Sequence, residues 1–225
     1  MPDPAREGRV GRHYSGERGE RYLSYQQRYG ELGAELNRFK FEPYLQPTDR
    51  VVDFGCGIGA LLERLDAAEK AGVEVSDVAR KAAQARGLNV VASTRELADA
   101  SADVVISNHA LEHTLSPLDE LRELRRVLRA GGKLVVWLPI DDWRSQRRPR
   151  PDPNHHLYTW TPLLLSNLLD EAGFDVLECR VVTHAWPPLT QHLARLPRGL
   201  FDVFARLWSV LRRRRQLMVV AIPRG

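Results

Sequence analysis

Cysteine is nearly missing from this chain: 225 residues hold two, Cys56 and Cys179. That count excludes a disulfide framework and a cysteine-based zinc cage, and it suits a reducing compartment. Long apolar runs are missing too. No stretch approaches the roughly 20 uninterrupted apolar residues of a membrane span, and residues 1–12 contain no apolar block of the signal-peptide kind. A cytoplasmic location is expected, with peripheral contact at the inner membrane face left open. Lysine is the third scarcity, with Lys40, Lys70, Lys81 and Lys133 the four lysines among 33 basic residues. The net charge of +4 is therefore arginine charge, and it gathers at Arg144, Arg147, Arg148 and Arg150 and again at residues 212–215. Such clusters either attract phosphate and acidic groups or form solvated faces.

What is present reads as one globular α/β domain. Apolar residues make up 43% and charged residues 28%, which excludes fibrous and disordered classes. Residues 1–18 are expected to be an unstructured tail and 19–225 a single domain, with a helical lid over 19–46 and a helical insertion over 184–215. The spacing of Tyr22, Tyr25, Tyr29, Leu32, Leu36 and Phe39 follows one helical face. Strands are predicted at 50–54, 72–76, 88–92, 103–107, 133–138, 174–182 and 217–222. Between them lie helices at 60–70, 78–86 and 161–172 and one opened by Ser116 and Pro117, with Asp119 three residues after the cap and Gly131-Gly132 as its stop. Alternating strands and helices imply a mainly parallel sheet covered on both faces.

The first strand runs into Gly55-Cys56-Gly57-Ile58-Gly59 and then a helix. A glycine-rich turn at that place lets backbone amides approach a ligand closely. Asp53 precedes the turn, and Glu74 lies 19 residues after Gly55 at the predicted end of the second strand, where a carboxylate accepts ribose hydroxyls. A nucleoside-containing cofactor follows. Gly55, Gly57 and Ala60 also satisfy the dinucleotide pattern, so the turn alone leaves the cofactor open.

The wider chain resembles the class I S-adenosylmethionine-dependent methyltransferases, particularly the broad bacterial group acting on small molecules and glycan or lipid precursors. The resemblance covers about residues 20–182. It rests on Val51-Val-Asp-Phe-Gly-Cys-Gly-Ile-Gly59, Gly72-Val-Glu-Val-Ser76, Ala110-Leu-Glu-His113 and Leu121-Arg-Glu-Leu-Arg-Arg-Val-Leu-Arg-Ala-Gly-Gly132, which runs into Leu134-Val-Val-Trp-Leu-Pro139. It implies a Rossmann-like sheet of seven strands in the order 3-2-1-4-5-7-6 with the last antiparallel, and S-adenosylmethionine as cofactor. By matching motif, Asp53, Gly55, Cys56 and Gly57 would take the methionine part, Glu74 the ribose and Val75 the adenine. Asn108 would offer its carbonyl to the methionine ammonium, with His109 beside it. At Ser93-Thr94 the chain departs from the usual Gly-Asp of relatives, and a hydroxyl would stand in for the acid.

His113 is the first candidate for a general base, because imidazole titrates near neutral pH; the alternative is that Glu112 and His113 only hold their loop. Asp141, His155, His156 and Tyr158 follow the fifth strand in a polar loop that would close over the acceptor. No metal is expected, since the carboxylates are not spaced as in magnesium-dependent catechol methylation. The partner is a small-molecule acceptor, acidic or lipid-linked, with no nucleic acid; a monomer and a homodimer both remain open. A helix predicted over 200–213 carries more apolar residues than one stripe needs. Its partner is the domain's own sheet, a second copy, a substrate or a membrane surface. Two other classes compete. A nicotinamide-dependent oxidoreductase is disfavoured because no tyrosine is followed four residues later by lysine, and a non-catalytic basic module has only the arginine clusters behind it.

Overall fold

The computed structural model describes residue 14 and residues 16–141 and 155–225; the side chains of Tyr22, Tyr25, Gln26, Arg28 and Tyr29 lie outside that description. The arginine cluster 144–150, most of the loop 141–158 and the tyrosine side chains on the face of the helical lid therefore fall outside it as well. The element order is α1 (Gly16–Asn37), β1 (Arg50–Phe54), α2 (Ala60–Arg64), β2 (Glu69–Val73), α3 (Asp77–Gln84), β3 (Asn89–Val91), β4 (Ala102–Asn108), α4 (Pro117–Val127), β5 (Leu128–Ile140), α5 (Pro162–Glu171), β6 (Phe174–Val182), α6 (Thr190–Leu193), α7 (Arg198–Leu211) and β7 (Arg215–Pro223). The seven strands form one sheet in the order β3-β2-β1-β4-β5-β7-β6. β7 runs antiparallel to both neighbours, and the remaining pairs are parallel. The Rossmann-like order expected from the resemblance is the one observed.

Strand alternation builds a core on each face of the sheet. Val52 and Phe54 point to the side covered by Leu121 and Leu124 of α4 and Leu165 and Leu169 of α5. Val51, Val104, Ile106 and Trp137 point to the other, against Phe41 and Leu62. α1 links two smaller clusters. Its Ala34 packs with Ile58, Ala60 and Ala79, whereas its Leu36 packs with Phe201 and Ala205 of α7.

Three predicted boundaries are corrected. The tail was expected to end at 18, but α1 begins at Gly16. The first crossover helix was expected to reach residue 70 and the second strand to span 72–76. Instead α2 stops at Arg64 and β2 occupies Glu69–Val73, because the ladder pairs Arg50 with Glu69 and Lys70 with Val51. Parallel pairing overrides the helix preference of the Ala, Glu and Lys residues there. Gly131-Gly132 were assigned to the stop of α4, yet that helix ends at Val127 and both glycines lie inside β5. Gly131 takes φ +71°, and the β4–β5 register shifts between Ala102 and Val104, so the pair forms an irregularity that re-aims the strand.

Candidate active site

β1 ends at Phe54, and the chain turns at once over the end of β2. The amides of Gly55 and Cys56 both donate to the carbonyl of Val73, at 2.8 and 3.1 Å. Gly55 has φ +80°, and a Cβ there would lie 2.3 Å from the Cβ of Ala110. Only glycine suits a left-handed backbone pressed that closely against the loop after β4. Glu74, the first residue past β2, folds its carboxylate back onto this turn. Oε2 accepts from Gly57 N at 2.9 Å and Oε1 from Ser76 N at 2.7 Å. A carboxylate has about four lone-pair sites, and these two amides occupy one on each oxygen. Burial raises the Glu74 carboxyl to about 6 against the pull of those two amides, and burial followed by the Glu74 charge raises Asp53 to about 7.

The other cofactor candidates are placed as follows. Cys56 is buried, which pushes its thiol up and removes it as a nucleophile. Val75 is 38% exposed. Ser93 caps a short 3-10 turn by accepting from Arg95 N at 3.3 Å. The Thr94 hydroxyl donates to Glu120 at 2.9 Å in the packing against α4, so the side chain faces that helix. At the end of β4, the Asn108 side chain accepts from Lys40 Nζ at 2.9 Å. His109 follows with φ +56° while its amide bonds to Trp137 O at 2.8 Å.

Lys40 and Gln216 were not foreseen. Lys40 is buried beneath the Trp137 ring, 4.9 Å from its centroid, and its ammonium also donates to Gln216 Oε1 at 2.8 Å. The same oxygen lies 3.0 Å from His109 Nε2, and Gln216 Nε2 donates to His184 O at 2.8 Å. Burial lowers Lys40 to about 7. Burial and then the Lys40 charge lower His109 to about 3, so His109 is a neutral ring that donates. The available signal was a lysine enclosed by Phe39 and Phe41 in a chain that otherwise avoids lysine.

The acceptor-side candidates converge in part. His156 Nδ1 lies 2.7 Å from Asp141 Oδ2, and His113 Nδ1 lies 3.3 Å from the backbone carbonyl of His155. The two imidazoles meet edge-on at 4.9 Å. Between them sits Glu112, fully buried and held through its own carbonyl, which accepts from the amides of Leu157 and Tyr158 at 2.9 and 3.2 Å. His155 thus enters through its backbone. The Tyr158 hydroxyl donates to Leu115 O at 3.2 Å and its ring stacks on Trp160, which places it outside the cluster. Tyr14, in the segment expected to be an unstructured tail, packs edge-on against His113 at 6.0 Å and feels the charges of both Glu74 and Glu112. It therefore marks the junction of the two half-sites. An open cavity of about 450 Å³ borders the cluster, lined by His109, Asp141, His184, Trp186, Trp208 and Arg215 among others.

A sheet in this order with a glycine turn and an acidic residue after its second strand defines the Rossmann-like methyltransferase class. The chain belongs to the methyltransferase domain family, whose pattern it matches over residues 22–179. A Mycobacterium tuberculosis protein described as a probable S-adenosylmethionine-dependent methyltransferase is 33% identical over 137 residues, which is 57% of this chain and 50% of that one. A ribosomal protein L11 methyltransferase of Cupriavidus taiwanensis is 31% identical over 130 residues, covering 47% of this chain and 43% of its own. The matched part spans between 34% and 50% of the length of the curated relatives. Among solved structures, an S-adenosylmethionine-dependent methyltransferase from Archaeoglobus fulgidus superposes with TM-score 0.63 at 20% identity, covering 89% of this chain and 99% of that one. The phosphoethanolamine N-methyltransferase 2 of Haemonchus contortus, bound to S-adenosylmethionine, gives 0.62 at 14% identity, with 90% and 56% covered.

Asp53 yields a prediction free of the acceptor. Its folded value near 7 lies above the unfolded 3.8, so the native state holds the extra proton, and the Asp53 contribution to stability declines as pH rises from about 4 to about 7. Asp53→Asn removes that decline. Relative to the parent, the variant is expected to gain melting temperature from pH 5 to pH 8; a constant difference across that range would contradict the assignment.

Proposed function

We propose that this chain is an S-adenosylmethionine-dependent methyltransferase acting on an O or N of an acidic, lipid-linked small molecule. The observation that carries the cofactor is the Glu74 carboxylate, fixed by Gly57 N and Ser76 N beside a turn that excludes any Cβ at Gly55. The donor set fits the group: free lone pairs for the ribose hydroxyls, a half-exposed Val75 for the adenine, and Asp53 and the Asn108 carbonyl for the ammonium. When bound, S-adenosylmethionine supplies a methyl already activated on a sulfonium. The protein's remaining work is to hold an acceptor in line, exclude water and receive a proton where the acceptor carries one. His113 is assigned that proton, with His156 and Asp141 as the supporting pair. Thr94, committed to Glu120, and Tyr158, committed to Leu115, are left with structural roles.

The acceptor class rests on the insertion. α7 buries Phe201, Ala205 and Ser209 but leaves Leu200, Val203, Phe204, Leu207, Val210 and Leu211 facing solvent. Its own sheet therefore does not account for the helix's apolar breadth. Arg212, Arg214 and Arg215 stand at the C-terminal end of this face and also line the open cavity with Trp208. An apolar face beside cations at a cavity mouth suits an anionic lipid surface delivering a phosphate-bearing acceptor. Magnitudes show that both parts are needed. About 1 kcal/mol per arginine on an anionic leaflet gives roughly 3 kcal/mol for these three, which is no better than millimolar attachment, so burial of the apolar side chains has to supply the rest. No helix among the described residues is long and apolar enough to cross a membrane.

Two measurements follow. Glu74→Ala is expected to weaken binding of S-adenosylhomocysteine by about 1.5–3 kcal/mol in calorimetry, and unchanged affinity removes Glu74 from the site. In flotation, the parent is expected to rise with phosphatidylglycerol vesicles while Leu207→Glu stays below. Equal behaviour of the two would leave the lipid-linked reading without support.

A further inference from the structure

The cluster beside the cavity holds an arrangement that proton transfer alone does not explain. Glu112 is fully buried, and neither of its carboxylate oxygens has a hydrogen-bond partner among the described residues. The Lys40 ammonium spends its hydrogen bonds on Asn108 and Gln216 instead. A buried carboxylate left in that state is costly. Glu112 Oε1 lies 3.8 Å from His113 Nε2 and 4.0 Å from His156 Nε2, too far for hydrogen bonds but all within 4.8 Å of one another.

The outer contacts of both rings give the arrangement its meaning. His156 Nδ1 is held by Asp141 Oδ2 and His113 Nδ1 by the carbonyl of His155. Each acceptor favours a proton on Nδ1, which assigns the ring's lone pair to Nε2, the nitrogen nearer the Glu112 carboxylate. Two ring nitrogens and a carboxylate oxygen then converge as three electron-pair donors. Metal-binding histidines are oriented this way, with the far ring nitrogen donating to a carboxylate or a backbone carbonyl. We propose that Glu112, His113 and His156 bind a divalent first-row transition metal ion, zinc being well suited to two imidazoles and a carboxylate. An ion about 2.1 Å from each donor needs donors about 3.4 Å apart, so the site closes by shifts of less than about 1 Å. Asp141 and the His155 carbonyl act as positioning groups.

This departs from the absence of metal expected from the sequence. The donors come from two loops, one after β4 and one after β5, 43 residues apart between His113 and His156, and no spacing rule joins them. The ion's binding stands on the cluster itself; its role rests on the methyl transfer proposed above. There it would draw in an acceptor hydroxyl from the cavity bordered by Asp141. The O–H bond breaks, the proton passes to solvent, and the oxygen keeps the electron pair that forms the bond to the methyl carbon. The carbon–sulfur pair returns to sulfur, and no oxidant is consumed. With the ion bound, His113 is a ligand, so the proton-accepting role given to it above belongs to the metal-free cluster.

The test uses the full chain, stripped with chelator and titrated with cobalt(II) and with zinc. One equivalent of cobalt is expected to give a visible ligand-field absorption, and zinc to displace it. Glu112→Gln and His156→Gln are expected to weaken uptake at least 100-fold, and Asp141→Asn about 10- to 100-fold. Asp141→Asn, which leaves all three ligands in place, decides the matter if either ligand variant fails to fold. Absent cobalt absorption in the parent, or uptake unaltered by Glu112→Gln or Asp141→Asn, overturns the proposal. A normal cobalt signal with no binding of S-adenosylhomocysteine would instead count against the methyltransferase reading and leave the metal site standing.

Discussion

One buried carboxylate holds the cofactor half of this molecule together. Glu74 follows β2 directly, but its two oxygens are bound to the amides of Gly57, in the turn after β1, and Ser76, just before α3. The β1 turn is in turn pinned to β2 by Gly55 N and Cys56 N on Val73 O. Two crossovers that diverge from adjacent parallel strands are thereby fixed to each other through charge-assisted hydrogen bonds. The cost is visible in the carboxyl's value, raised to about 6 by burial despite both amides. A fold with no use for an acid here would have a more stable solution in an apolar residue.

From that point the structure divides into two neighbouring halves joined by the exit of β4. Asn108 and His109 leave the strand beside Trp137, and the left-handed backbone of His109 turns the chain so that Glu112 and His113 come to lie against the 155–158 segment. Lys40, from the helical lead-in, and Gln216, from β7, brace this exit from below. Lys40 is lowered to about 7 by burial, so it is about half charged near neutral pH while its hydrogen bonds organise the site. The α7 insertion and its arginines then form the outer rim of the cavity.

Much of this was legible in the sequence because it depends on local chemistry. Alternating strands, a glycine turn that must follow a strand, and an acid at a set distance onward all report on neighbours within one β-α-β unit. The strand order came from resemblance, and the ladder agrees with it. What escaped has a common cause. The position of β2 was decided by its ladder with β1 and not by the helix preference of Glu69 and Lys70. Gly131 reads as a helix stop until the β4–β5 register shift shows it inside a strand. Lys40 and Gln216 are 176 residues apart, and Glu112, a partner to His113 in the sequence, gains significance because its oxygens have no hydrogen-bond partner among the described residues while lying near His156 across two loops. Tyr158, a polar ring in the same loop, donates its hydroxyl to Leu115 O, a contact 43 residues away in sequence. Long-range polar contacts leave no periodicity to read.

The central claim is that the turn at Gly55 to Gly59 and Glu74 bind S-adenosylmethionine rather than a nicotinamide dinucleotide, although Gly55, Gly57 and Ala60 satisfy both patterns. Calorimetric titration of the parent and of Gly55→Val, with S-adenosylhomocysteine and with reduced nicotinamide dinucleotide, tests it most directly. A Cβ at Gly55 meets Ala110 at 2.3 Å, so the account predicts one S-adenosylhomocysteine per parent chain, none for a folded Gly55→Val chain, and no heat from the dinucleotide with either. Saturable dinucleotide binding to the parent that Gly55→Val abolishes, with no heat from S-adenosylhomocysteine, would contradict it.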